Sequence, residues 1–222
     1  MPTYFRREPG IERSNGRRGS ALTRSTMTSP SRDEDPKTAL RREAVARRDA
    51  LPPAVRAAGA EAVAARPFPL PLAPGAIVSA FMPMGSEFDP RPLMKKLAAA
   101  GARLALPVVI GRGRPLVMRT WNFGEPLIAS SFGILEPRPE AAAADPDILL
   151  VPLLAFDRSG HRIGYGAGYY DMTITLLRAR KSAVAVGLAF AVQEIPTVPA
   201  TPRDARLDLV LTEREVIDLR GG

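Results

Sequence analysis

Arg162, three glycines at 164, 166 and 168, Tyr169, Tyr170 and Asp171 lie within ten residues, in the order RIGYGAGYYD. Glycine at alternate positions lets backbone approach a bulky anion, and successive N–H groups can form an anion-binding nest. Arg162 brings a fixed positive charge into the loop, and Asp171 brings a carboxylate out of it that is suited to a hard cation. The combination suggests a phosphate site. The spacing Gly164-Tyr-Gly-Ala-Gly168 is neither a Rossmann fingerprint nor a Walker A loop. On spacing alone, an ordinary glycine turn between a strand and a helix explains it equally well.

The elements around the loop must bring other charges to it. Ahead of it, Asp147–Val151 reads as a buried strand, and Tyr169–Arg180 reads as a helix. Ala76–Met82 (strand), Asp89–Ala100 (helix) and Arg103–Val109 (strand) form a βαβ pattern that predicts a parallel pair. Further strands are expected at 115–120, Ala183–Leu188 and Leu207–Leu211. Residues 111–136 read as an excursion ending in the turn-like FGILEP. The expected fold is a single three-layer α/β domain with a mostly parallel mixed sheet flanked by helices, like sugar-phosphate isomerases and CoA-transferases. In such sheets ligands sit at the carboxyl ends of the strands. The polar clusters Gly85–Asp89 and Arg158–Asp171 follow strands there, and Asp204 precedes the last one.

Ordered structure is expected from Asp33. Its first helix carries Leu40, Ala44 and Ala50 as apolar positions, with Lys37, Arg41 and Arg48 near one another on a second face. Pro52-Pro53 ends that helix, and a second fits Ala54–Arg66. Residues 1–32 hold seven arginines and two glutamates, and so +5 of the net +8. They read as a disordered basic extension, with Met27 offering an alternative start. The remaining charge is ordinary for a domain. No aromatic-interleaved basic motif points to nucleic acid, and no apolar run has the length of a membrane span. Cysteine is absent, which excludes disulfide and thiolate chemistry, and the one histidine excludes a multi-histidine metal centre within the chain. A cytoplasmic monomer that binds neither nucleic acid nor membrane is the expectation.

The segment VPLLAFDRSGHRIGYGAGYYD resembles the 5-formyltetrahydrofolate cyclo-ligase (5,10-methenyltetrahydrofolate synthetase) family. KTALR at 37–41, EFD at 87–89, GILEP at 133–137, GLAF at 187–190 and RDARLDLVLTE at 203–213 follow the same family pattern in order, so the likeness spans roughly residues 34–217. It implies conversion of 5-formyltetrahydrofolate to 5,10-methenyltetrahydrofolate, with ATP as co-substrate and Mg²⁺ as cofactor. Residue by residue, it implies that Lys37, Arg41 and Arg162 bind ATP together with Ile163, Gly164, Tyr165, Gly166, Ala167, Gly168, Tyr169 and Tyr170. Met82 and Glu87 would hold the folate with Tyr165, Gly166, Ala167, Gly168 and Tyr169. Arg162 and Tyr169 would be the catalytic side chains, and Asp171 and Asp204 the metal ligands. Ala167 departs from the glycine or lysine common at its position, and Met172 from a frequent polar residue.

Read from the residues alone, each of these has a structural alternative. Lys37 and Arg41 would form a solvated basic helix face, Arg162 a surface charge, the tyrosines core side chains and Asp171 a helix cap. His161 reads as a surface residue and Trp121 as packing. Two other classes are weighed: a phosphate-binding isomerase or acyl transferase using Glu87 or Glu136, and a nucleic-acid binder acting through the basic tail.

Overall fold

Ile77, Val78 and Ser79 begin the sheet, and each later run of Val, Ile and Leu adds a strand beside them. In this computed structural model, which describes residues 36–130 and 133–221, α1 (Pro36–Asp49) and α2 (Pro53–Ala65) precede β1 (Ile77–Ser79), α3 (Arg91–Ala99) and β2 (Arg103–Val108). There follow β3 (Val117–Thr120), β4 (Leu127–Ala129), β5 (Leu135–Pro137), β6 (Ile148–Pro152), β7 (Ala155–Phe156) and β8 (Arg162–Ile163). The chain ends with α4 (Tyr169–Arg178), β9 (Val184–Leu188), a 3₁₀ turn at Ala191–Gln193, β10 (Leu209–Leu211) and β11 (Val216–Asp218). The expected basic extension, and its boundary at residue 33, fall outside the described residues. Among those described, no helix is long and apolar enough to cross a membrane.

The main sheet has the order β11-β10-β9-β6-β1-β2-β3. Its inner pairs are parallel, and antiparallel β3 and β11 close the two edges. This is the expected mixed, mostly parallel sheet. Alternate strand residues face opposite layers, as the two-residue period of a strand requires. Val78, Leu104, Leu106, Leu150 and Val186 pack with Ala60 and Val63 of α2 and with Leu93, Met94 and Leu97 of α3. Ala105, Leu149, Val151, Ala185 and Val210 pack on the other face against Ile174 and Leu177 of α4. Leu93, Met94 and Leu97 are 1% exposed or less, and such burial contributes about 1.5–3 kcal/mol per side chain.

The connections set where the site lies. From β1 the chain passes through α3 to β2 on one side, and from β6 through α4 to β9 on the other. The crevice between these oppositely directed connections opens at the carboxyl ends of β1 and β6. Gly187 in β9 explains the GLAF motif: a Cβ there would lie 2.8 Å from Leu153 Cδ2 and 2.8 Å from Leu207 Cδ1.

Three details differ from expectation. Leu135–Pro137, expected as a turn, is extended as β5 and pairs with β4, because Glu136 turns inward and accepts Val109 N–H through Oε1 at 3.1 Å. The first strand stops at Ser79, although Ala80 N–H still reaches Ala105 O at 2.9 Å. Leu207 lies outside its expected strand, since its N–H bonds Gly160 O at 2.9 Å.

Candidate active site

Helix α1 rests on the β7–β8 hairpin through Ala44, which packs with Leu154, Ala155, Ile163, Ile195 and Val198. Lys37, Arg41, Ala44 and Arg48 are spaced by four, three and four residues and so form one stripe. Docking Ala44 therefore turns the three cations toward the glycine loop. Lys37 Nζ meets Asp204 Oδ2 at 2.7 Å, and Arg41 Nε donates to Gly164 O at 3.1 Å. Arg48 Nη1 donates to the Tyr165 hydroxyl at 2.8 Å.

The loop is held at its base by Asp157, which is 3% exposed and accepts from Ser159, His161 and Val198. Burial pushes this carboxyl up, but those hydrogen bonds outweigh it and hold its pKa below the usual range. Arg162 follows as part of β8, with a side chain only 4% exposed, so it is not a surface charge. Its guanidinium donates to Ala205 O and, at 2.7 Å, to Asp171 Oδ1. Burial lowers its pKa and Asp171 opposes the shift, but a guanidinium stays protonated throughout. Gly166 (φ 98°) and Gly168 (φ 68°) then carry the chain through left-handed conformations into the first turn of α4. Thr173 Oγ1 ties that turn to the 111–116 segment by accepting Leu116 N–H at 2.8 Å and donating to Tyr169 O at 2.7 Å.

Asp171 and Asp204 come together across Ala205, whose N–H donates to Asp171 Oδ1 at 3.1 Å. Asp204 Oδ2 also accepts Thr201 N–H at 2.6 Å. Burial raises the Asp204 pKa, and bonds from Lys37 and Thr201 more than offset it, so the group is ionised well below neutral pH. The second oxygen of each aspartate accepts no hydrogen bond from the described residues, which leaves two carboxylate oxygens for a cation.

Gly85 (φ 55°) turns the chain after β1, and Glu87 Oε2 accepts Met84 N–H at 2.8 Å. Glu87 is 8% exposed. Tyr170 carries a hydroxyl that is shielded from solvent and, among the described residues, has no hydrogen-bond partner. Burial, with Glu87 adding to it, pushes that hydroxyl above the usual tyrosine range, so it remains a donor.

These groups share one cavity of about 880 Å³. Every site residue expected from sequence lines it: Lys37, Arg41, Met82, Glu87, the unbroken run from Arg162 to Asp171, and Asp204. Sequence reading missed Phe81, Met84, Pro107, Val109, Arg112, Leu116, Ile134 and Pro152, which also line it, and named Glu136, another lining residue, only under the alternative isomerase or acyl-transferase reading. The position of Pro107, Val109 and Pro152 at or just past the ends of expected strands was the available signal. Arg112 and Ile134 carried none. Trp121 is 5% exposed, donates to Glu125 O at 3.1 Å and does not line the cavity.

Residues 33–213 match the 5-formyltetrahydrofolate cyclo-ligase family. The chain belongs to that family. It is 37% identical over 193 residues to the 5-formyltetrahydrofolate cyclo-ligase of Mycolicibacterium smegmatis, covering 83% of this chain and 97% of the relative. The Escherichia coli enzyme of the same name is 32% identical over 145 residues, or 63% of this chain and 79% of that one. Among solved structures, the 5,10-methenyltetrahydrofolate synthetase of Aquifex aeolicus aligns with a TM-score of 0.67 at 30% identity, covering 84% of this chain and 94% of the other. A Mycoplasma pneumoniae synthetase, 21% identical with a TM-score of 0.62 over 81% of this chain and 99% of its own, shares the fold. The chain is thus a ligase of folate metabolism with 5-formyltetrahydrofolate cyclo-ligase activity, in a family that depends on ATP.

Proposed function

We propose that this cavity converts 5-formyltetrahydrofolate into 5,10-methenyltetrahydrofolate by phosphorylating the formyl oxygen with ATP in the presence of Mg²⁺, in a cytoplasmic monomer. The observation that carries the reading is the mixed lining of the cavity. Lys37, Arg41, Arg162 and the glycine backbone line it together with Met82 and buried Glu87.

A formamide carbon is a poor electrophile, and its oxygen is a poor leaving group. Attack of that oxygen on the γ-phosphorus forms an O–P bond, breaks the bond to the β-phosphate oxygen and releases ADP. N10 then attacks the formyl carbon, loses its proton, and inorganic phosphate leaves with the C–O electron pair, giving the amidinium product. Each step develops charge on phosphate oxygens, where fixed cations and backbone N–H groups are most effective. Lys37 and Arg41 would grip the polyphosphate, and Arg162 would face the transferred group. Tyr169 would pack between the two substrates, with Tyr170 shaping the pocket behind it. Glu87 would accept from the aminopyrimidine edge of the pterin as a bidentate carboxylate does.

Asp171 and Asp204 suit Mg²⁺, a hard cation that takes one or two carboxylates and completes its shell with water and phosphate oxygens. When bound, the ion neutralises phosphate charge. Production of the methenyl compound is followed by its near-ultraviolet absorbance. The reading requires product only when folate, ATP and Mg²⁺ are all supplied, and loss of product in folded Arg162→Met. Turnover without ATP would reject it.

A further inference from the structure

We propose that Arg48 is a positioning residue that clasps the glycine loop to the turn carrying Glu87 and so holds the Tyr165 ring as a fixed wall between the two substrates. The proposal rests on the ligase reading above and adds a residue that the family likeness does not assign.

Arg48 is 5% exposed, yet among the described residues no carboxylate lies within ion-pair distance of it. Its bonds go to two neutral hydroxyls: Nε donates to Ser86 Oγ at 2.9 Å, and Nη1 to Tyr165 OH at 2.8 Å. Burying a guanidinium against neutral acceptors is a poor way to stabilise a fold, because its desolvation is not matched by an opposite charge. What the arrangement provides is geometry. Ser86 precedes Glu87 on the folate wall and passes the contact on by donating to Asp49 Oδ1. Tyr165 lies inside the glycine run on the nucleotide wall.

Tyr165 is 47% exposed as a residue, although its hydroxyl end is bound. Its tip is fixed while ring surface stays open along the cavity. Burial and nearby Glu87 push its pKa above the ordinary tyrosine range, so the hydroxyl stays protonated beside Arg48. The flanking glycines would otherwise let the ring swing. Arg41 pins the loop backbone at Gly164 O, and Arg48, two turns along the same helix, pins the adjacent side chain. A wall ordered before binding spares each substrate the cost of ordering it.

The test is a double-mutant cycle of Arg48→Met and Tyr165→Phe, with Arg48→Lys as the conservative variant, on the full chain. Steady-state kinetics is accompanied by calorimetric binding of ATP and of 5-formyltetrahydrofolate, which needs no turnover, and by thermal midpoints. Arg48→Met should weaken folate binding and raise its KM about three- to tenfold, with a smaller change in kcat. Arg48→Lys should recover part of the loss. In the Tyr165→Phe background, Arg48→Met should add little, since both remove the same contact. Unchanged KM and binding in folded Arg48→Met would overturn the proposal. So would full additivity of the two changes, or a lowered midpoint as the only effect. If wild type binds both substrates but makes no product, the ligase reading fails, and the binding cycle still decides the role of Arg48.

Discussion

Alanine placed in turn at 164, 166 and 168 should give three different proteins, although the loop looks uniform in sequence. At Gly164 the backbone is not left-handed and an added Cβ meets nothing within 4 Å. Gly164→Ala should therefore be neutral or stabilise by up to about 1 kcal/mol through a less flexible unfolded chain. At Gly168 (φ +68°) the space is open, and backbone strain alone costs about 1 kcal/mol. At Gly166 (φ +98°) the strain is greater, and the new Cβ also lies 3.4 Å from Arg41 Cζ, so the guanidinium must give way. A loss of about 2 kcal/mol follows, or roughly 4–8 °C in thermal midpoint for a domain of this size. Because Arg41 Nε holds Gly164 O, moving it also loosens the loop, and the ATP KM should rise about tenfold in Gly166→Ala and little in Gly164→Ala. Urea titration gives the stabilities, with equal m-values as the check on a two-state comparison. Equal destabilisation by Gly164→Ala and Gly166→Ala would refute the reasoning.

Asp157→Ala should cost about 3 kcal/mol, because it strands the buried N–H of Val198 and opens the turn before Arg162. The native carboxyl has a depressed pKa, so its stabilisation is complete above an unfolded value of about 4 and is lost as pH falls through the lower folded value. The gap between wild type and Asp157→Ala should close in acid denaturation curves. Gly187→Ala should destabilise by about 1–3 kcal/mol through overpacking against Leu153 and Leu207, with KM values unchanged in the folded enzyme. Asp171→Asn keeps an acceptor for Arg162 and Ala205, so it should fold, while the Mg²⁺ concentration for half-maximal rate rises at least about tenfold.

The parallel strands were legible because β6 and β9 are short, almost wholly apolar runs bounded by polar and turn residues. The loop from Arg162 to Asp171 stood out as a candidate phosphate site because charge, glycine and aromatic residues crowd into ten positions, and the structure places all ten along the cavity. Short strands were not. The two-residue β7 and β8 and the three-residue β11 are too short to show a period. GILEP was read as a turn because the inward direction of Glu136 is set by a bond to Val109, which the motif does not reveal. Arg48 shared a helix face with Lys37 and Arg41 in the sequence, but its burial depends on where Ser86 and Tyr165 come to rest.

Helix α1 supplies two of the cavity's lining residues, Lys37 and Arg41, but belongs to neither main core. Its buried anchor is Ala44 in a cluster shared with the β7–β8 hairpin and the 195–198 segment. Among the described residues, the apolar surface that peeling it away exposes is that small satellite, whereas opening any central strand exposes apolar surface on both sheet faces. Local opening is therefore least costly at α1, and its amides should exchange before those of β6 or β9. Two of the cavity's cations, Lys37 and Arg41, are thus carried by an element anchored outside both main cores.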